Sequence, residues 1–185
     1  MYSPRRMSAA HPRPDRSPRR SIVLVGMMGT GKSSIGRRLA RRLGLPFADA
    51  DEEIERSSGF TIDEMFDRFG ETAFRDCERR VIARLVEGPP QVIATGGGAF
   101  ADDGTRALIL ERCLAVWLDA DTDTLVGRLA RRRGRPLLRG RDPRRVIEEL
   151  AAKRNRYYAE AQLRVRSAPA PHDAVVDEIC RELKL

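Results

Sequence analysis

Aromatic residues make up only 5% of this 185-residue chain, so Leu, Val, Ile and Ala must fill most of its core. Long apolar runs are also missing. None approaches the roughly 20 residues that a membrane-spanning helix needs, so no membrane partner is expected. Cysteine is sparse as well: Cys77, Cys113 and Cys180 stand far apart, are odd in number and lack metal-ligand spacing. They read as buried, reduced thiols, which fits a reducing, cytoplasmic setting.

The first twenty residues contain no Leu, Ile, Val, Phe or Trp, but carry Pro4, Pro12, Pro14 and Pro18. Such a segment cannot bury apolar surface, and residues 1–20 are expected to form a disordered basic tail. It has no apolar signal segment and no amphipathic face of the transit-peptide kind. Six arginines against Asp15 give this tail +5 of the net +8 charge. The remaining +3 belongs to residues 21–185, which read as one domain. A weakly basic domain of this kind suits anionic small molecules, and a nucleic-acid partner is not expected. The expected state is a monomer.

What is present is a regular alternation. Ile22 to Val25 is a short apolar run, as in a strand buried on both faces. Lys32 to Leu43 has Ile35, Leu39 and Leu43 at helical spacing and stops at Gly44 and Pro46. A short strand from Phe47 runs into Asp49-Ala50-Asp51, and Glu52 to Ser58 reads as a helix ended by Gly59. Thr61 to Glu64 has the form of a capping box, Gly70 interrupts, and Glu71 to Val86 is helical. Strands follow at Gln91 to Thr95, Leu114 to Leu118 and Leu163 to Arg166. Helices are expected over 102–110, 121–133, 144–160 and 174–183. Strands alternating with helices imply βαβ units: an α/β fold with a parallel sheet covered on both faces.

The segment Gly26-Met27-Met28-Gly29-Thr30-Gly31-Lys32-Ser33 fits the phosphate-loop pattern G-x-x-x-x-G-K-[ST] without mismatch. Its glycines let backbone N–H groups turn inward around a phosphate. Lys32 adds a point charge for the β- and γ-phosphates, and the Ser33 hydroxyl can ligate Mg²⁺. The loop follows a buried strand and opens a helix whose positive dipole end adds to the field. It is not a dinucleotide fingerprint, because Ser34 stands where that pattern needs glycine.

Other residues extend the site. Asp49 and Asp51 lie at the C-terminal end of the second strand, the edge where ligands of parallel sheets collect. Alternate strand positions share a face, so both carboxylates can point at the phosphates, unless one caps the next helix. Gly96-Gly97-Gly98 ends the third strand and lets the backbone approach a ligand, where a simple turn would not need three glycines. Arg75 alone reads as a surface arginine. Residues 131–145 hold eight arginines punctuated by Gly134, Pro136 and Gly140. They form either a solvated basic face or a closing lid.

Together and in order, these segments resemble the shikimate kinase family from about Ser21 to the C-terminus. The resemblance rests on G-M-M-G-T-G-K-S-S-I-G and on Asp49-Ala50-Asp51. It rests further on Phe74-Arg75 with Glu78, on the glycine triplet, on Arg135-Pro136-Leu137-Leu138, and on Arg154 with Tyr158. It implies a three-layer P-loop kinase fold with a central five-stranded parallel sheet and a mobile lid at about 131–143. It implies transfer of the ATP γ-phosphoryl group to the 3-hydroxyl of shikimate, a step in chorismate and aromatic amino acid biosynthesis, with Mg²⁺ as cofactor. By the same resemblance Lys32, Asp51 and Arg135 are catalytic. Gly29, Thr30, Gly31, Lys32, Ser33, Ser34, Arg128 and Arg135 bind nucleotide. Asp51, Arg75, Gly96, Gly97, Gly98 and Arg154 bind shikimate, and Ser33 and Asp49 hold the metal. Two features depart from the family pattern: Arg156 stands where a proline is usual, and no arginine lies near Ala170 and His172. A gluconate kinase is the alternative enzyme, since gluconate also offers a carboxylate and hydroxyls. A ligand-sensing module without catalysis is the alternative outside enzymes.

Overall fold

The computed structural model describes residues 20–129, 140–167 and 170–185. Ile22–Val25 forms β1, and all four residues are fully buried, which explains the absence of any polar alternation. β1 pairs in parallel with β3 (Val92–Ala94) on one side and β4 (Leu114–Asp119) on the other. β2 (Phe47–Asp49) adds outside β3, and β5 (Leu163–Arg166) outside β4. The expected sheet of five parallel strands is thus present, in the order β2-β3-β1-β4-β5.

The period of two along each strand sorts the core into two layers. Ile22, Leu24, Val116 and Leu118 face α1 (Lys32–Leu43) and α7 (His172–Glu182), meeting Ile35, Leu39, Val175 and Ile179. Val23, Ile93, Ala115 and Trp117 face the opposite layer. There Phe74 and Ile82 come from α3 (Ile62–Glu87), Ile109 from α4 (Asp103–Arg112), Leu125 from α5 (Thr122–Leu129) and Ile147 from α6 (Pro143–Tyr158).

Local signals behave as their chemistry requires. The Thr61 hydroxyl accepts from the Glu64 N–H at 3.2 Å, while the Glu64 carboxylate accepts from the Thr61 N–H at 2.8 Å. Gly70, at φ 80° and ψ 172°, bends α3 into two helical segments. All three thiols are free, with Cys113 and Cys180 buried and Cys77 half-buried. Among the described residues no helix is long and apolar enough to cross a membrane.

One expectation is corrected. Asp49-Ala50-Asp51 is not a continuous strand: β2 ends at Asp49 and α2 (Ala50–Ser58) begins at Ala50. The Asp49 carboxylate accepts the Asp51 N–H at 3.0 Å, and this cap starts the helix. Elsewhere, α7 begins two residues earlier than expected, at His172 behind Pro171. Arg156 lies in the last turn of α6, which runs through it without interruption. Of the lid expected at about 131–143, residues 131–139 lie outside the described residues, as do residues 1–19 of the tail. Arg141 and Arg144 pair with Glu149 and Asp123 on the exposed surface, as in a solvated basic face.

Candidate active site

The P-loop leaves β1 at Gly26, whose φ is 135°. A side chain there would collide with the Leu118 carbonyl oxygen on the neighbouring strand, so the position demands glycine on two grounds. Lys32 folds back over the loop, and its Nζ donates to the Gly26 and Met27 carbonyls, each at 2.8 Å. The buried Thr30 hydroxyl donates to the Met27 carbonyl at 2.9 Å and so braces the loop. From α5, Arg128 Nη1 donates to the Gly29 carbonyl at 2.9 Å, which places its guanidinium at the loop's outer rim. Ser34 lines the cavity over the loop, and its carbonyl accepts from Arg38 at 3.2 Å.

Beneath the loop, the Ser33 hydroxyl donates to Asp49 Oδ2 at 2.5 Å. Asp49 therefore does two things: it caps α2 and it meets the P-loop serine. Two hard oxygen donors side by side suit Mg²⁺, which takes few protein ligands and keeps water or phosphate oxygens for the rest. Among the described residues no group of three or more His, Cys, Asp or Glu side chains could hold a metal ion.

Two cavities adjoin here. The first lies over the P-loop and is lined by Lys32, Ser33, Asp49 and Thr95. The second is lined by Phe66, Phe74, Arg75, Glu78, Gly98 and Arg154. Met28, Asp51, Gly96 and Gly97 belong to both. Asp51 thus stands at the boundary between a phosphate cradle and a basic, partly aromatic pocket. Although it sits on a helix and not on the expected strand, it reaches the same place.

Glu78 is functionally placed yet absent from the expected site set. It is 3% exposed, and its Oε2 accepts from Arg75 Nη1 at 2.6 Å. Its Oε1 is buried with no hydrogen-bond partner among the described residues. Burial pushes the Glu78 carboxyl above its ordinary range, more than the charges of Arg75 and Arg154 pull it down. The Arg75 pKa is raised as well: burial opposes its charge, but the Glu78 and Glu71 carboxylates outweigh that and strengthen it. The F-R-x-x-E spacing carried this signal, since residues three apart share a helix face. The second such residue is Tyr158, fully buried, whose hydroxyl donates to the Gly97 carbonyl.

The three glycines are each hemmed in. A methyl at Gly96 would lie 2.8 Å from Glu78 Oε1 and 2.9 Å from Asp51 Oδ1. At Gly97 it would lie 3.3 Å from the Met28 nitrogen and 3.5 Å from Arg154 Nη1. At Gly98 it would lie 2.6 Å from Arg75 Nη1. The structure thereby brings Asp51, Arg75, the triplet and Arg154 around one pocket beside Lys32 and Ser33. Arg135 lies outside the described residues.

The family model for shikimate kinase matches residues 28–184. The chain belongs to the shikimate kinase family. It is 55% identical over 165 residues to the shikimate kinase of Caulobacter vibrioides, covering 89% of this chain and 82% of that protein. Among solved structures it resembles a shikimate kinase from Acinetobacter baumannii in complex with shikimate. The TM-score is 0.89 at 33% identity, over 92% of this chain and 97% of that one. A gluconokinase from Sinorhizobium meliloti, at TM-score 0.58 and 21% identity over 90% and 92% of the two chains, shares the fold alone.

Proposed function

We propose that this shikimate kinase transfers the γ-phosphoryl group of ATP to the 3-hydroxyl of shikimate across the wall that its two cavities share, releasing ADP and shikimate 3-phosphate. The observation that carries this reading is the placement of Asp51 on both cavities, between the P-loop and the arginine pair Arg75 and Arg154.

Phosphoryl transfer asks a protein mainly for positioning and charge neutralisation. The P-loop backbone and Lys32 hold the β- and γ-phosphates. Lys32 Nζ donates to the Gly26 and Met27 carbonyls, which hold its charge at the loop. Ser33 and Asp49 would hold Mg²⁺, which when bound would neutralise phosphate charge. Arg75 and Arg154 grip the shikimate carboxylate, for which the guanidinium fork is matched. Glu78 holds the Arg75 guanidinium from behind. Asp51 accepts a hydrogen bond from the attacking hydroxyl and takes its proton as the new P–O bond forms and the bond to the ADP oxygen breaks. Gly96 to Gly98 supply backbone N–H groups. Gly29, Thr30, Gly31, Ser34 and Arg128 complete the nucleotide side.

By the family resemblance, Arg135 contacts the transferring phosphate. The domain 21–185 carries the activity as a cytoplasmic monomer. A coupled ADP-release assay with shikimate and with gluconate tests the acceptor: turnover of shikimate is expected, and turnover of gluconate alone would overturn the reading. Binding of ATP and shikimate without ADP production would point instead to a sensing module.

A further inference from the structure

The residues that touch the cavities do not include Tyr158, yet its hydroxyl reaches the middle of the glycine triplet. It lies on the last turn of α6, four residues after Arg154 and so on the same helix face. Its ring is fully buried beside Trp117, with centroids 5.9 Å apart. The hydroxyl donates to the Gly97 carbonyl, 61 residues away in sequence, and lies 3.9 Å from Met27 Sδ. Gly97 itself is the meeting point of three parts. A methyl there would touch the Met28 nitrogen of the P-loop at 3.3 Å and Arg154 Nη1 at 3.5 Å.

We propose that Tyr158 is a positioning residue for the acid substrate: its hydroxyl clamps the Gly97 peptide to helix α6, so that the glycine triplet and Arg154 form one preorganised carboxylate pocket. The inference rests on the reading of that pocket as the shikimate site. Glycine peptides rotate readily, and three in a row would leave the pocket floor in many arrangements. With the Gly97 carbonyl held by a buried donor, rotation of that peptide requires a hydrogen bond to break in a dry setting, which is costly. The same helix turn carries Arg154, so the floor and the charged wall move together. Burial also pushes the Tyr158 phenol up to about 12, so the hydroxyl stays protonated and remains a donor throughout the working pH range.

Tyr158→Phe keeps the ring and removes only the hydroxyl, which donates to the Gly97 carbonyl and also meets the Arg154 guanidinium. Without the clamp, shikimate must select the competent arrangement from several, which weakens its apparent affinity in proportion to the population lost. The expected result is a KM for shikimate raised roughly five- to tenfold, the effect of one lost buried hydrogen bond, with the KM for ATP and kcat within about twofold of wild type. A lowered Tm with both KM values unchanged would make Tyr158 a packing residue only and overturn the proposal. So would equal increases in both KM values. Arg154→Ala serves as the reference: if it leaves the shikimate KM unchanged, the pocket assignment itself is wrong, whatever Tyr158→Phe does. Should Tyr158→Phe not fold, amide hydrogen exchange on the wild-type enzyme without substrate decides. The clamp requires residues 97–99 to exchange as slowly as β3, and exchange at the rate of an open loop would refute it.

Discussion

Gly98→Ala probes the proposed acid-binding half of the site with a single methyl group. Gly98 sits at φ −95° and ψ −16°, ordinary right-handed backbone that alanine adopts without strain. The substitution should therefore cost the fold nothing through its backbone and can add about 0.4–1 kcal/mol by restricting the unfolded chain. The new methyl, however, would lie 2.6, 2.7 and 2.8 Å from Arg75 Nη1, Nη2 and Cζ. Carbon and nitrogen need about 3.5 Å, so the guanidinium must retreat by roughly 0.9 Å. Arg75 is a flexible side chain and can do so, but its retreat strains the 2.6 Å pairing with Glu78. It also carries the fork away from the carboxylate it is proposed to grip. Loss of one charge-assisted hydrogen bond is worth about 1.5–3 kcal/mol, or roughly 10- to 150-fold in affinity. A coupled ADP-release assay at saturating ATP should show the shikimate KM raised within that range, with the ATP KM unchanged and the Tm equal or slightly higher. An unchanged shikimate KM would refute the placement of Arg75 in the acceptor pocket. A lower Tm with both KM values raised would show that the methyl deforms the sheet edge and not the arginine.

Three further outcomes test the remaining parts. Lys32→Ala should lower kcat by roughly 10²- to 10³-fold, the usual cost of losing one preorganised charge in a transition state; near-normal turnover would reject the P-loop assignment. Arg154→Ala should raise the shikimate KM by at least tenfold, since a hydrogen bond to a charged group is worth about 1.5–3 kcal/mol. It should leave ATP binding intact, as read by ITC for each substrate. Glu78→Gln should change the pH dependence of stability. The Glu78 carboxyl is raised in the folded state, so the folded protein holds that proton more tightly than the unfolded chain does. Its contribution is complete below the ordinary value of 4.5 and is lost as pH rises from there through the raised folded value. The wild-type Tm should therefore fall relative to the variant across that window, and parallel curves would show that Glu78 is not perturbed.

What could be read from the sequence was what the chain writes locally. The P-loop packs its chemistry into eight consecutive residues, and the Thr61 capping box and the Gly70 bend act within one helical turn of themselves. The strand-to-helix boundary at Asp49 was harder. Alternation argued for a strand through Asp51, while a single side-chain-to-backbone bond at 3.0 Å decided for a helix. Either geometry delivers both carboxylates to the same edge, so their expected placement did not depend on the local one. Glu78 shows the opposite case. Its spacing from Arg75 was visible, but its weight comes from burial, and burial is set by the packing of α3 against a glycine loop that begins eighteen residues later. Tyr158 meets Gly97 only after two βα units have been laid into the sheet.

The glycine triplet shows why such contacts change a reading and not merely extend it. From sequence, three glycines at a strand end suggest backbone approaching a ligand. None of the three has the positive φ that would make glycine necessary for the turn itself. Each instead faces an atom that a side chain would strike: Asp51 and Glu78 at Gly96, the P-loop nitrogen and Arg154 at Gly97, and Arg75 at Gly98. The space that the glycines keep open is occupied first by the protein's own charged groups. The triplet therefore acts as the common floor on which Asp51, Arg75 and Arg154 are set. Enlarging any one of its three positions should disturb a different member of that set. Gly96→Ala should fall on Asp51 and hence on kcat, whereas Gly98→Ala falls on Arg75 and hence on the KM for the acid. The same drop in kcat from both substitutions would show that the floor moves as one piece and that the separate contacts do not matter.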